Sequence, residues 1–161
     1  MTRLADALFA LCRIGSGLAL VAMVAMVFGE IVSRNLFGVS LHMSEEVAGY
    51  LLVALAFLGF SVSFRSGDLM RIEAVYDNLS PTGRQAADIV FDAVALAAVL
   101  ICAWYSGRFV WSSYWRGTVA PTLLQTPLWV PQSVIPVGLA ILALALALRV
   151  AGNAAALRRA G

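Results

Sequence analysis

The sequence predicts an all-α integral membrane protein with four transmembrane helices, and three observations predict it. Of the 161 residues, 61% are hydrophobic and 12% charged, against roughly 45–50% and about 25% in soluble domains. Mean hydropathy is +0.89. Apolar runs recur four times, each near the ~20 residues that cross a hydrocarbon core. Four such spans take about 80 residues and leave short connections, so residues 1–161 are read as one four-helix transmembrane domain with no second domain.

The first span is expected at about 14–34, charge-free through position 29, with Glu30 and Arg34 near its end. Arg3 and Arg13 before an apolar run also suit a signal peptide, but the run exceeds a typical h-region and lacks a small-residue cleavage site. The helix is therefore expected to be retained. The second span is expected at about 45–64, opening at Ser44-Glu45-Glu46, where a serine can cap the helix and two acids meet its positive dipole end.

A polar stretch over 65–84 follows. Within it Leu69, Ile72, Tyr76 and Leu79 recur at three and four residues, the period of one helical face, and predict a short amphipathic helix on the membrane surface. Ser80-Pro81-Thr82-Gly83 reads as a turn. The third span is expected at about 85–107. Trp104, Arg108, Trp111 and Trp115 continue one face beyond it, so the helix extends into the headgroups as an interface anchor. Between Gly117 and Leu148 no charge occurs, and Pro121, Pro127 and Pro131 interrupt the first part. That places the fourth span at about 128–148, with a bend near Pro136, which lacks the N–H that a helix needs.

With the N-terminus in the cytoplasm, eight of the eleven arginines fall on that side, leaving Arg34, Arg108 and Arg116 outside with Trp111, Trp115 and Trp129. The positive-inside rule then puts both termini in the cytoplasm.

The scattered arginines form no basic cluster, so nucleic acid is not an expected partner. Cys12 and Cys102 lie ninety residues apart without a C-x-x-C, and His42 is the only histidine, so neither a zinc site nor a bis-histidine haem is expected from this chain. No phosphate loop, Ser-His-Asp set or metal-ligand cluster appears, hence no enzyme and no cofactor.

Ionisable residues within spans are the first place to seek transport chemistry. Glu30 has Arg34 four residues later on the same face, which offers an ion pair; a self-sufficient proton-coupled exporter of the small multidrug-resistance type, working as a homodimer through Glu30, is the alternative. The polar 65–84 segment and the long 117–128 connection argue against such a bare bundle. Asp88 and Asp92 share a stripe with Arg84. Arg84 neutralises Asp88 at the interface, and Asp92, one turn deeper, points at a neighbouring helix or a partner subunit. Gly15, Gly17, Gly49 and Gly59 allow close backbone approach.

Glu30-Ile-Val-Ser-Arg-Asn-Leu-Phe37, Met43-Ser-Glu-Glu46, Phe57-Leu-Gly-Phe60, Leu79-Ser-Pro81, Thr126-Pro-Leu-Trp-Val-Pro131 and Ile135-Pro-Val-Gly138 follow one another in an order that resembles the small, DctQ-like membrane subunit of tripartite ATP-independent periplasmic (TRAP) transporters. The resemblance covers nearly the whole chain. It implies a multi-pass protein of the bacterial inner membrane that scaffolds a large DctM-like permease subunit. That partner carries the substrate and sodium sites, and a periplasmic binding protein delivers an organic acid, often a carboxylate. The chain ending soon after Arg158-Arg159 suggests that the permease is a separate polypeptide. The contact candidates, toward partner or lipid, are Arg34, Glu45 and Glu46 in the outer loop, Thr126, Pro127 and Trp129 entering the fourth span from the same side, and Asp92. The residues that choose the solute are expected in other chains.

Overall fold

The computed structural model describes residues 2–39, 43–66, 81–122 and 124–160. Four helices carry them: α1 (Thr2–Phe37), α2 (Ser44–Ser66), α3 (Pro81–Trp115) and α4 (Trp129–Ala160). Each is long and apolar enough to cross a membrane. At 1.5 Å per residue, the 36 residues of α1 and the 35 of α3 reach more than about 50 Å, well beyond a hydrocarbon core of about 30 Å.

The helices run past the expected spans for identifiable reasons. In α1, Phe9, Cys12, Ser16 and Ala19 are all buried, at spacings of three, four and three, so the stretch before residue 14 is one continuous packed face. In α3, residues 81–83 of the turn expected over 80–83 instead belong to the first helical turn: Pro81 stands at its first position, where a missing N–H costs nothing and the fixed φ suits a helix. The opening of α2 also differs. Val47 N–H bonds to the Met43 carbonyl at 3.1 Å, so Met43 holds the cap position and Ser44 is already helical. The fourth helix runs unbroken through Pro136. The amphipathic helix expected over 65–84 rests on residues 67–80, which lie outside the described ones, as does His42.

α3 packs most extensively on α4, α1 on α2, and α2 on α4, giving the lateral order α1–α2–α4–α3. Apolar side chains along α1 and α3, such as Val21, Phe28, Val94 and Ile101, are more than half exposed. In water such a surface would be unstable; in lipid it is the expected outer face, because acyl chains are as apolar as the side chains.

All four helices meet near one end. Phe9 of α1, Phe64 of α2 and Leu142, Ala145 and Leu146 of α4 form the buried cluster, with Ala95, Leu96 and Val99 of α3 against it. Phe9 lies near the start of the chain and Leu146 in the last half of α4, so both described chain ends sit on this side. Farther along, α2 and α4 cross in close contact. Ser61, fully buried, donates to the Gly138 carbonyl at 3.1 Å. A Cβ on Gly138 would stand 2.8 Å from both the Phe57 carbonyl oxygen and its Cβ. Only glycine fits there. Of the small residues singled out above, Gly15 and Gly59 do face a neighbouring helix, against Leu58 and Ser16, whereas Gly17 and Gly49 face open space.

Candidate functional site

The expected contact residues fall at two ends of the bundle. At the end opposite the apolar cluster, the first turn of α2 is the meeting point. Ser44 is buried and its hydroxyl donates to Glu30 Oε2 of α1 at 3.0 Å. Glu30 thus engages the neighbouring helix of its own chain. One turn on, the Tyr50 hydroxyl donates to Glu46 Oε1 at 2.7 Å, and the side chains of Thr122 and Thr126 approach the same carboxylate. Glu45, on the other side of this turn, is exposed, as is Arg34 in the last turn of α1.

Thr122 and Thr126 reach Glu46 because the connection between α3 and α4 is a small ordered hairpin. Helix α3 ends at Gly117, whose φ of +59° suits a residue without a Cβ. Thr118 N–H bonds to the Ser113 carbonyl and Gly117 N–H to that of Tyr114, both at 3.1 Å, which is the Schellman pattern. The chain then pairs with itself: Ala120 N–H donates to the Thr126 carbonyl at 2.9 Å and Leu128 N–H to that of Thr118 at 3.0 Å, around an antiparallel bridge between Val119 and Pro127. Gln125 turns the tip at a φ of 46°. Pro127 lies exposed on this hairpin, and Trp129 packs edge-on against Tyr114 with ring centroids 5.6 Å apart. The structure therefore brings Glu46 and Thr126 together and leaves Glu45, Arg34 and Pro127 on the surface.

Asp92 belongs to the other end. It is buried, and Arg149 Nε of α4 lies 3.1 Å from its Oδ2. The Arg149 guanidinium stands 5.3 Å from the centre of the Phe64 ring, so one cation joins α2, α3 and α4. Of the two readings of Asp92, the neighbouring helix describes this contact: the residue opposite is this chain's own arginine, because antiparallel α3 and α4 bring positions 92 and 149 to the same depth.

Sequence reasoning did not single out Tyr50, Thr122 or Arg149. Tyr50 was legible as the i+4 neighbour of Glu46; Arg149 was legible only if α3 and α4 were known to pack; Thr122 depends on the hairpin. Between α2, α3 and α4 there is also a cavity of about 330 Å³, lined by Ala56, Phe57, Phe60, Val99, Gly138, Leu139 and Leu142. Its side chains are all apolar and offer an organic anion no donor. Among the described residues no three His, Cys, Asp or Glu side chains come together.

A curated relative, the ectoine TRAP transporter small permease protein TeaB of Halomonas elongata, is 27% identical over 124 residues, covering 77% of this chain and 64% of the relative. The chain thus spans less than two thirds of that protein's length. Residues 23–156 match the family model described as tripartite ATP-independent periplasmic transporters, DctQ component. That stretch takes in the C-terminal part of α1, all of α2 and α3, the hairpin and most of α4, which removes the multidrug-exporter alternative and assigns a multi-pass place in the inner membrane. The chain belongs to the DctQ family of TRAP transporter small permease subunits.

Proposed function

We propose that this chain is a non-catalytic scaffold that holds a large permease subunit in the membrane, the large subunit carrying the solute and sodium sites and a periplasmic binding protein delivering an organic acid, preferably a carboxylate. The observation that carries the reading is where the polar side chains go. Asp92 is matched by Arg149 and Glu30 by Ser44, each pair joining two helices, and Glu46 by Tyr50 within α2, so the charges inside the bundle are satisfied by this chain's own side chains. Ectoine, the solute for which the Halomonas relative is named, is the second solute candidate for this chain's transporter. With both termini in the cytoplasm, as the arginine distribution requires, the hairpin, Arg34 and Glu45 face the periplasm, where partner and binding protein meet.

A tagged copy purified from native membranes in mild detergent is expected to bring down a large polytopic protein in stoichiometric amount. Proteoliposomes with this chain alone should take up nothing, whereas adding the large subunit, the binding protein and a sodium gradient should restore uptake. Uptake by this chain without a partner would sink the proposal. Competition between labelled carboxylates of net negative charge and zwitterionic ectoine then separates the two solute candidates.

A further inference from the structure

The outer half of α3 carries a groove of about 500 Å³ along one face, lined by Ala103, Trp104, Gly107, Arg108, Trp111, Ser112, Trp115 and Arg116. Trp104, Trp111 and Trp115 are 68%, 64% and 71% exposed. Gly107 opens the floor of the groove, with nothing within 4 Å of where its Cβ would stand. Two of the lining residues are cations and none is an acid.

Two arginines line the groove, one turn to either side of Ser112. Arg116 folds back one turn, its guanidinium on the Ser112 hydroxyl and its Nε 3.4 Å from the Ser112 carbonyl. Arg108 lies one turn on the other side of Ser112, exposed, and among the described residues it has no ion pair or hydrogen-bond partner. An arginine at this depth snorkels its head toward the headgroup layer. Both arginines thus stand within one turn of Ser112, near the membrane boundary marked by the tryptophans.

We infer that this groove binds the phosphate of an anionic phospholipid in the hairpin-side leaflet, with Arg108 and Arg116 taking the phosphate and Trp104 and Trp111 flanking the acyl chain. Charge complementarity selects the occupant. Two guanidinia without an acid beside them match a headgroup with net negative charge, and their planar forks suit phosphate oxygens. The tryptophan faces and the open floor at Gly107 lead from that level toward the bilayer core, where a chain attached to the phosphate must go. The assignment concerns this chain's own surface and does not rest on the scaffold reading.

The test uses the full chain in mild detergent, stripped of lipid and titrated with phosphatidylglycerol while bound lipid is read by native mass spectrometry. Diacylglycerol with the same chains and inorganic phosphate alone are the control probes. Phosphatidylglycerol is expected to be retained in preference to both. Each arginine near a membrane surface is worth roughly a fivefold change in affinity, so R108Q/R116Q should lose about twenty-five-fold, while R108K/R116K, which keeps the charge, holds most of the retention. Equal retention by the R108Q/R116Q variant, or by diacylglycerol, overturns the site. Equal retention of inorganic phosphate overturns the lipid as its source. A photocrosslinker replacing Trp111 in native membranes should label lipid, and labelling of another protein instead overturns the assignment.

Discussion

The two ends of the bundle are built on different principles. At the end that holds both described chain ends, four helices converge on Phe9, Phe64, Leu142, Ala145 and Leu146, and a buried Asp92–Arg149 pair lies beside them. At the other end the contacts are between single polar side chains, Ser44 with Glu30 and Tyr50 with Glu46, under a hairpin held by its own backbone. The first end is occupied with itself. The second leaves Arg34, Glu45 and Pro127 open. In a membrane, where helix association draws on packing and hydrogen bonds more than on the hydrophobic effect, this contrast separates the part that fixes the bundle from the part able to meet other molecules.

Breaking the packed end should have the largest effect. Leu146→Ala, at a side chain 1% exposed, is expected to cost about 2–5 kcal/mol, read as a fall in melting temperature of the detergent-purified chain. A loss no larger than that from an exposed leucine would remove the claim that this cluster organises the fold. Next comes Asp92→Ala, which leaves the Arg149 cation without its carboxylate; because Arg149 is 27% exposed, we expect about 2 kcal/mol, below the 3–5 of a fully enclosed pair. Asp92→Ala combined with Arg149→Met should recover most of that loss, and failure of the double variant to recover would show that the two groups act separately.

Gly138→Ala forces a methyl group toward the Phe57 backbone and should cost roughly 1–3 kcal/mol, with disulfide trapping between cysteines introduced on α2 and α4 reporting the altered crossing. The smallest effect is expected at the open end. Glu46→Gln keeps an acceptor for Tyr50 and should change stability by less than about 1 kcal/mol. Charge reversal at Glu45, exposed as it is, should leave the melt unchanged and reduce uptake by the assembled transporter. If reversal at Glu45 lowered stability as much as Leu146→Ala, the division between the two ends would collapse.

The four helices were legible because hydrocarbon imposes a single strong rule: about twenty apolar residues in succession, with backbone polar groups satisfied internally. Their true ends were less so. Residues 2–13 carry Arg3, Asp6 and Arg13, which end a hydropathy window, yet Phe9 and Cys12 pack on neighbours that only the fold supplies. Pro81 reads equally as a turn or as a first helical residue. Asp92 was rightly turned inward by its depth, but its partner required knowing that α3 and α4 lie side by side. The hairpin over 117–128 left almost no signal, because its bonds are main-chain and its tip depends on a left-handed Gln125, which no composition rule announces.

The Gly138 notch also has a meaning for alignment. A helix can slide along a smooth neighbour in small steps, but here α4 offers α2 one missing side chain, with Val137 and Leu139 on either side. Shifting α4 by a single residue, about 1.5 Å, would bring a branched side chain up to the Phe57 carbonyl and take the Gly138 carbonyl away from Ser61. The pair is therefore indexed, like a key with one tooth. The faces that α2 and α4 present keep their register with it.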